Sequence, residues 1–118
     1  LPAGSYNIVC DQGATFGLSM TYKDANGTVI NLTGYTARMQ VRSKANASTT
    51  IVSLTSSPAA GITLGGAAGT IVISISATST AALEPGDYVY DLELVNTSST
   101  AVTRLVQGRF RVSAEVTK

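Results

Sequence analysis

The chain has 118 residues, 44% of them hydrophobic and only 13% charged, with a formal net charge of +1. That hydrophobic content with so little charge excludes a disordered chain, and the near-neutral balance excludes electrostatic steering toward nucleic acid or an anionic membrane. There is no histidine and Cys10 is the single cysteine, so the usual zinc ligands, the commonest general base and an internal disulfide are all missing.

Leu1 to Ser5 is expected to be a flexible arm. It lacks the basic region and apolar run of a signal peptide, and no stretch of the chain approaches the ~18 apolar residues of a membrane-spanning helix. Tyr6 to Cys10 reads as a first short strand, broken by Asp11-Gln12-Gly13. Thr15 to Tyr22 alternates with period two. Phe16, Leu18, Met20 and Tyr22 form an apolar face, while Thr15, Gly17, Ser19 and Thr21 form a small, uncharged one. Asn26-Gly27 suits a turn with positive φ. Tyr35 to Ser43 alternates again, with Ala37, Met39 and Val41 against Arg38, Gln40 and Arg42. Thr49 to Thr55 is a strand. Gly61–Leu64 and Gly69–Ser76 read as a hairpin around Gly65-Gly66-Ala67-Ala68, with Ile71, Ile73 and Ile75 inward. Ala77 to Leu83 has room for one helical turn. Tyr88–Val95 and Ala101–Ser113 are long strands, the second bulged near Gln107-Gly108 where its inward parity changes. Residues 114–118 form a tail.

Seven or eight strands at this spacing predict a single all-β domain over residues 1–118, an Ig-like antiparallel β-sandwich. Tyr35–Ser43, Tyr88–Val95 and Ala101–Ser113 are expected in one sheet, whose outer face carries Arg38, Arg42, Asp91, Glu93, Arg109 and Arg111. Thr15–Lys23, Thr49–Thr55 and Gly69–Ser76 are expected in the other, faced with Thr, Ser and Gly. Solvent-facing strands usually carry charges that discourage sheet association. The seven residues Thr15, Gly17, Ser19, Thr21, Thr70, Ser74 and Ser76 are therefore the candidate protein interface. A rival contact is pairing of the arm Leu1–Cys10 with a neighbour's sheet.

The remaining motifs favour structural readings. Leu83, Pro85, Gly86 and Tyr88 resemble the corner of Ig-like sandwiches in which a tyrosine hydroxyl bonds back to the preceding turn, a part that Tyr88 or Tyr90 can play. Asp24-Ala25-Asn26-Gly27 has the first spacing of a calcium loop without its later ligands, and reads as a hairpin turn. Gly61–Gly69 lacks the Lys-Ser or Lys-Thr of a phosphate loop. Asp91 and Glu93 share a strand face beside arginines, as ion pairs rather than catalytic carboxylates. Arg104, Arg109 and Arg111 lack the aromatic neighbours that stack bases. The sequons at Asn26, Asn31, Asn46 and Asn96 are expected by chance in a chain with 29 Ser and Thr residues. No cofactor, metal site or catalytic residue is expected.

Three segments together resemble a family of small tailed-bacteriophage virion proteins. They are Ile30–Arg42 (INLTGYTARMQVR), Gly69–Leu94 (GTIVISISATSTAALEPGDYVYDLEL) and Thr103–Val112 (TRLVQGRFRV). The similarity is to the Ig-like domain at the start of siphophage baseplate upper proteins and to free-standing structural proteins of tailed phages. It implies a non-enzymatic virion component, made in the host cytoplasm, that acts as an adaptor or decoration subunit. Its implied partners are capsid, neck, tail or fibre proteins and copies of itself in a symmetric assembly, with no nucleic acid and no membrane. The alternative is a secreted or surface Ig-like adhesion module that binds carbohydrate or protein.

Overall fold

A computed structural model describes residues 4–117. The elements are β1 (Gly4–Ser5), β2 (Ile8–Asp11), β3 (Phe16–Thr21), β4 (Tyr35–Arg42), β5 (Val52–Ser56), β6 (Ala59–Ala60), β7 (Ile62–Leu64), β8 (Thr70–Ile75), the short helix α1 (Ala77–Ala81), β9 (Gly86–Asn96) and β10 (Val102–Ser113). They build a β-sandwich of two packed sheets. The large sheet runs β1-β10-β9-β4-β5-β6, with β2 following β1 along the same edge of β10; the small sheet runs β3-β8-β7. The ladders between these strands are antiparallel except those of β1 and β2 with β10.

Period-two alternation decides which side of each strand is buried. Ala37, Met39 and Val41 on β4 and Leu92 and Leu94 on β9 face Ile71, Ile73 and Ile75 on β8, and none of these is more than 4% exposed. Full burial of each larger aliphatic side chain stabilises by roughly 1.5–3 kcal/mol. Phe110 on β10 lies edge-on to both Phe16 (ring centroids 6.2 Å apart) and Tyr90 (6.4 Å), and joins the two sheets at one end.

Four expectations change. Residues 49–55 do not enter the small sheet: β5 pairs with β4, Met39 opposite Leu54 and Val41 opposite Val52. The reason is a compact connection. Ile51 N donates to Val41 O at 2.7 Å and Arg42 Nη1 donates to Ala47 O at 2.7 Å, folding the chain back as a hairpin. The third strand of the small sheet is β7, with Ile62 opposite Ile73. The bulge of β10 lies at Leu105, between Arg104 (opposite Glu93) and Val106 (opposite Leu92), earlier than Gln107-Gly108.

Gly108 instead marks a close approach, since a Cβ there would collide with the Tyr6 carbonyl. The arm is also tied down as far as it is described. Gly4 and Ser5 pair with Val106 and Gln107, Tyr6 N donates to Gln107 O at 3.0 Å, and the Tyr90 hydroxyl donates to Tyr6 O at 2.6 Å. The expected arm residues Leu1 to Ala3, and Lys118 of the tail, lie outside the described residues. In the rest of the tail, Glu115 N donates to Gln12 Oε1 at 3.0 Å.

Candidate interaction surface

The outer face of the small sheet is built from β3 and β8. Gly17 stands opposite Ser74, Ser19 opposite Val72 and Thr21 opposite Thr70; Thr63 of β7 flanks Val72 on the other side. The face carries no ionisable group. Val72, 40% exposed, sits at its centre between Ser19 and Thr63. Of the seven candidate residues, Gly17, Ser19, Thr21, Thr70 and Ser74 lie on this ladder. Thr15 precedes β3. Ser76 has left the sheet to cap α1, where its hydroxyl oxygen accepts from Ser79 N at 3.2 Å. Thr70 is half-buried against the Gly65 turn, where a Cβ would collide with its hydroxyl.

The inward face of β3 is only partly covered. Phe16, Leu18, Met20 and Tyr22 are all half-buried, whereas Ile71, Ile73 and Ile75 on the adjacent strand are buried. The difference arises because β3 is the last strand of its sheet. Beside it runs a mostly apolar groove of about 360 Å3, lined by Tyr6, Leu18, Met20, Tyr22, Leu105 and Val106. Tyr6, Leu105 and Val106 carry no signal of this role in the sequence, where they read as ordinary strand residues.

The large sheet has the opposite character. Arg38 Nε lies 2.8 Å from Glu93 Oε1, Arg104 Nε 3.4 Å from Asp91 Oδ2, and Arg111 Nε 3.7 Å from Asp87 Oδ1. A cleft of about 500 Å3 opens over Gln40, Arg42, Asp91, Glu93, Arg104 and Gln107. Partial burial and the neighbouring Glu93 hold the Asp91 carboxyl above its ordinary range, and Arg104, Arg38 and Arg42 oppose that shift. Such exposed pairs each contribute about 0.2–1 kcal/mol. Among the described residues no three metal-ligating side chains converge, and no helix is long and apolar enough to cross a membrane.

At the corner, Leu83 is buried and the Tyr88 hydroxyl donates to Glu84 O at 2.7 Å; the Tyr90 hydroxyl is engaged elsewhere, on the arm. Leu83 O accepts from Gln12 Nε2 at 2.8 Å, so the corner is fastened to the turn before β3. The sequence did not single out Thr80. It is fully buried on α1, donates to Ala14 O at 2.8 Å and accepts from Gly13 N at 3.1 Å. Asp24 Oδ1 accepts from Asn26 N and Thr28 N, at 2.9 and 3.0 Å, so this oxygen serves its own hairpin turn. Asn31 and Asn96 likewise cap their own turns. The rival use of residues 1–10 on a neighbour's sheet meets a competing partner, because β1 and β2 are paired within their own sheet. Neither protein-family models nor curated proteins gave a match to this chain.

Proposed function

We propose that this protein is a non-enzymatic structural subunit of a tailed-phage virion, an adaptor or decoration component that binds neighbouring virion proteins through its small sheet. The observation that carries the reading is the outer face of Gly17, Ser19, Thr21, Thr70, Val72 and Ser74, which has no charge while the ion pairs crowd the opposite sheet. Burying such a face desolvates only small hydroxyls and one valine, whereas burying the other sheet would strip water from arginines and carboxylates. A neutral face also lets identical subunits pack in a symmetric array without like-charge repulsion. The resemblance of residues 30–42, 69–94 and 103–112 to phage structural proteins supplies the setting.

The test is a Ser19→Lys, Ser74→Lys double variant. Both positions are exposed, so its stability should stay within about 0.5 kcal/mol of wild type per site. Its incorporation into particles should fall, as read by quantitative mass spectrometry of purified virions. Incorporation at the wild-type level refutes the assignment of the face, and absence of the wild-type protein from virions refutes the function. If raising the ionic strength releases the wild-type subunit, the charged sheet makes the contact instead.

A further inference from the structure

Among the described residues, the main chain of β3 has one side in use and one side without a strand beside it. Hydrogen-bonded and non-bonded pairs alternate along an antiparallel ladder. Tyr22 N donates to Gly69 O at 2.8 Å, in the register that continues the pairing of β3 with β8. Counting back in twos, the N–H and C=O groups of Met20, Leu18 and Phe16 point toward β8. Those of Gly17, Ser19 and Thr21 therefore point away, to the edge where the sheet ends, and have no backbone partner among the described residues.

Sheet edges of this kind are normally guarded by Lys, Pro, a bulge or a covering loop. Residues 12–22 contain no charged residue and no proline, and the register of β3 with β8 is unbroken. The chain's own first strands do not cover this edge. β1 and β2 lie on β10, where the Tyr90 hydroxyl and the Asn7 side chain, which accepts from Arg109 N at 3.0 Å, hold the intervening residues. The sandwich is closed at the Phe16–Phe110 contact and opens toward Tyr22 and Leu105, where the apolar groove lies.

We infer that the free edge of β3 accepts an added strand: an extended, uncharged segment of a neighbouring protein, apolar at alternate positions. It bonds to the main chain of Gly17, Ser19 and Thr21 and places its apolar side chains in the groove beside Leu18, Met20, Leu105 and Val106. Another strand presents donors and acceptors at the same two-residue spacing and replaces the water on these exposed groups, and the groove along it accepts only apolar side chains without a desolvation penalty. The neutral edge gives a charged segment no counter-ion. The inference deepens the proposed function, since the donor is a virion neighbour, but its chemistry is tested on the isolated protein.

The probe is a capped heptapeptide alternating valine and threonine, titrated into the 15N-labelled protein to millimolar concentration, with amide hydrogen exchange as readout. Exchange at Gly17, Ser19 and Thr21 should slow at least about tenfold and saturably, while Leu18 and Met20, already bonded to β8, change little. Ser19→Pro removes an N–H that β8 does not use, so the fold should survive and the response should vanish. Leu105→Lys charges the groove without touching β3 and should also abolish the response; if Ser19→Pro fails to fold, this variant decides. Unchanged exchange at the three amides overturns the inference, as does a response that survives Leu105→Lys. It is equally overturned if these amides are already protected without peptide and more so at higher protein concentration, which would mean that two copies pair through β3. Absence of the protein from virions would remove the proposed function and leave the peptide response intact.

Discussion

Replacing Tyr90 with Phe tests how the amino-terminal strands are held. The Tyr90 side chain is 5% exposed, its ring packs edge-on to Phe110, and its hydroxyl donates to Tyr6 O at 2.6 Å. Phenylalanine keeps the ring contact and loses only that bond, which at neutral pH should cost about 1–2 kcal/mol. The same hydroxyl gives a pH signature. Burial, with a further contribution from Tyr6, pushes the Tyr90 phenol from 10.0 up to about 12. A group whose folded pKa is raised contributes stability that is fully present below the unfolded pKa and is lost as pH rises through the folded one. The wild type should therefore lose roughly 2–3 kcal/mol between about pH 10 and pH 12 through this residue, as the hydroxyl gives up the proton it donates and the resulting phenolate faces a carbonyl oxygen. Denaturant unfolding of both proteins from pH 7 to pH 12 measures the difference, which cancels the other tyrosines. The stability advantage of the wild type should shrink above pH 10 and reverse by pH 12. A constant difference across this range would refute the assignment of the raised phenol to Tyr90 and its bond to the arm.

Two further predictions concern buried contacts. Thr80→Ala removes a hydroxyl that joins α1 to the turn at Gly13 and Ala14, and should lower unfolding stability by about 1–3 kcal/mol, with Thr80→Ser recovering most of it. A loss under about 0.5 kcal/mol for Thr80→Ala would contradict the bridging role. Gly108→Ala drives a methyl into the Tyr6 carbonyl, so the arm must shift; a cost of about 1–3 kcal/mol and faster exchange of the Tyr6 amide, now bonded to Gln107 O, are expected. Unchanged Tyr6 exchange would show that the arm does not pass over Gly108 as described.

Much of the architecture is legible in the sequence because alternation is a local property. Tyr35–Ser43 shows its buried side through Ala37, Met39 and Val41, and Gly69–Ser76 through three isoleucines, whatever lies beside them. The Gly65–Ala68 turn and the short helix after Ser76 are also local, set by glycine and by a serine cap. The uncharged outer side of β3 and β8 could be read for the same reason. The position of Thr49–Thr55 could not. Its alternation suits either sheet, and the bonds of Ile51 to Val41 and Arg42 to Ala47 decide which one it joins. The bulge lies a few residues before Gly108, which resembles a bulge glycine in sequence and is instead a crossing point for the arm.

Composition and alternation specify a sparsely charged all-β domain, the inward and outward sides of its strands, and the neutrality of one outer face. Packing between distant strands sets the pairing of β1 and β2 with β10, the place of β3 at the end of its sheet with no described strand beyond it, and the groove lined by Leu105 and Val106. Side-chain periodicity is written within each strand. Which edge finds a partner depends instead on connections and packing between strands far apart in the chain.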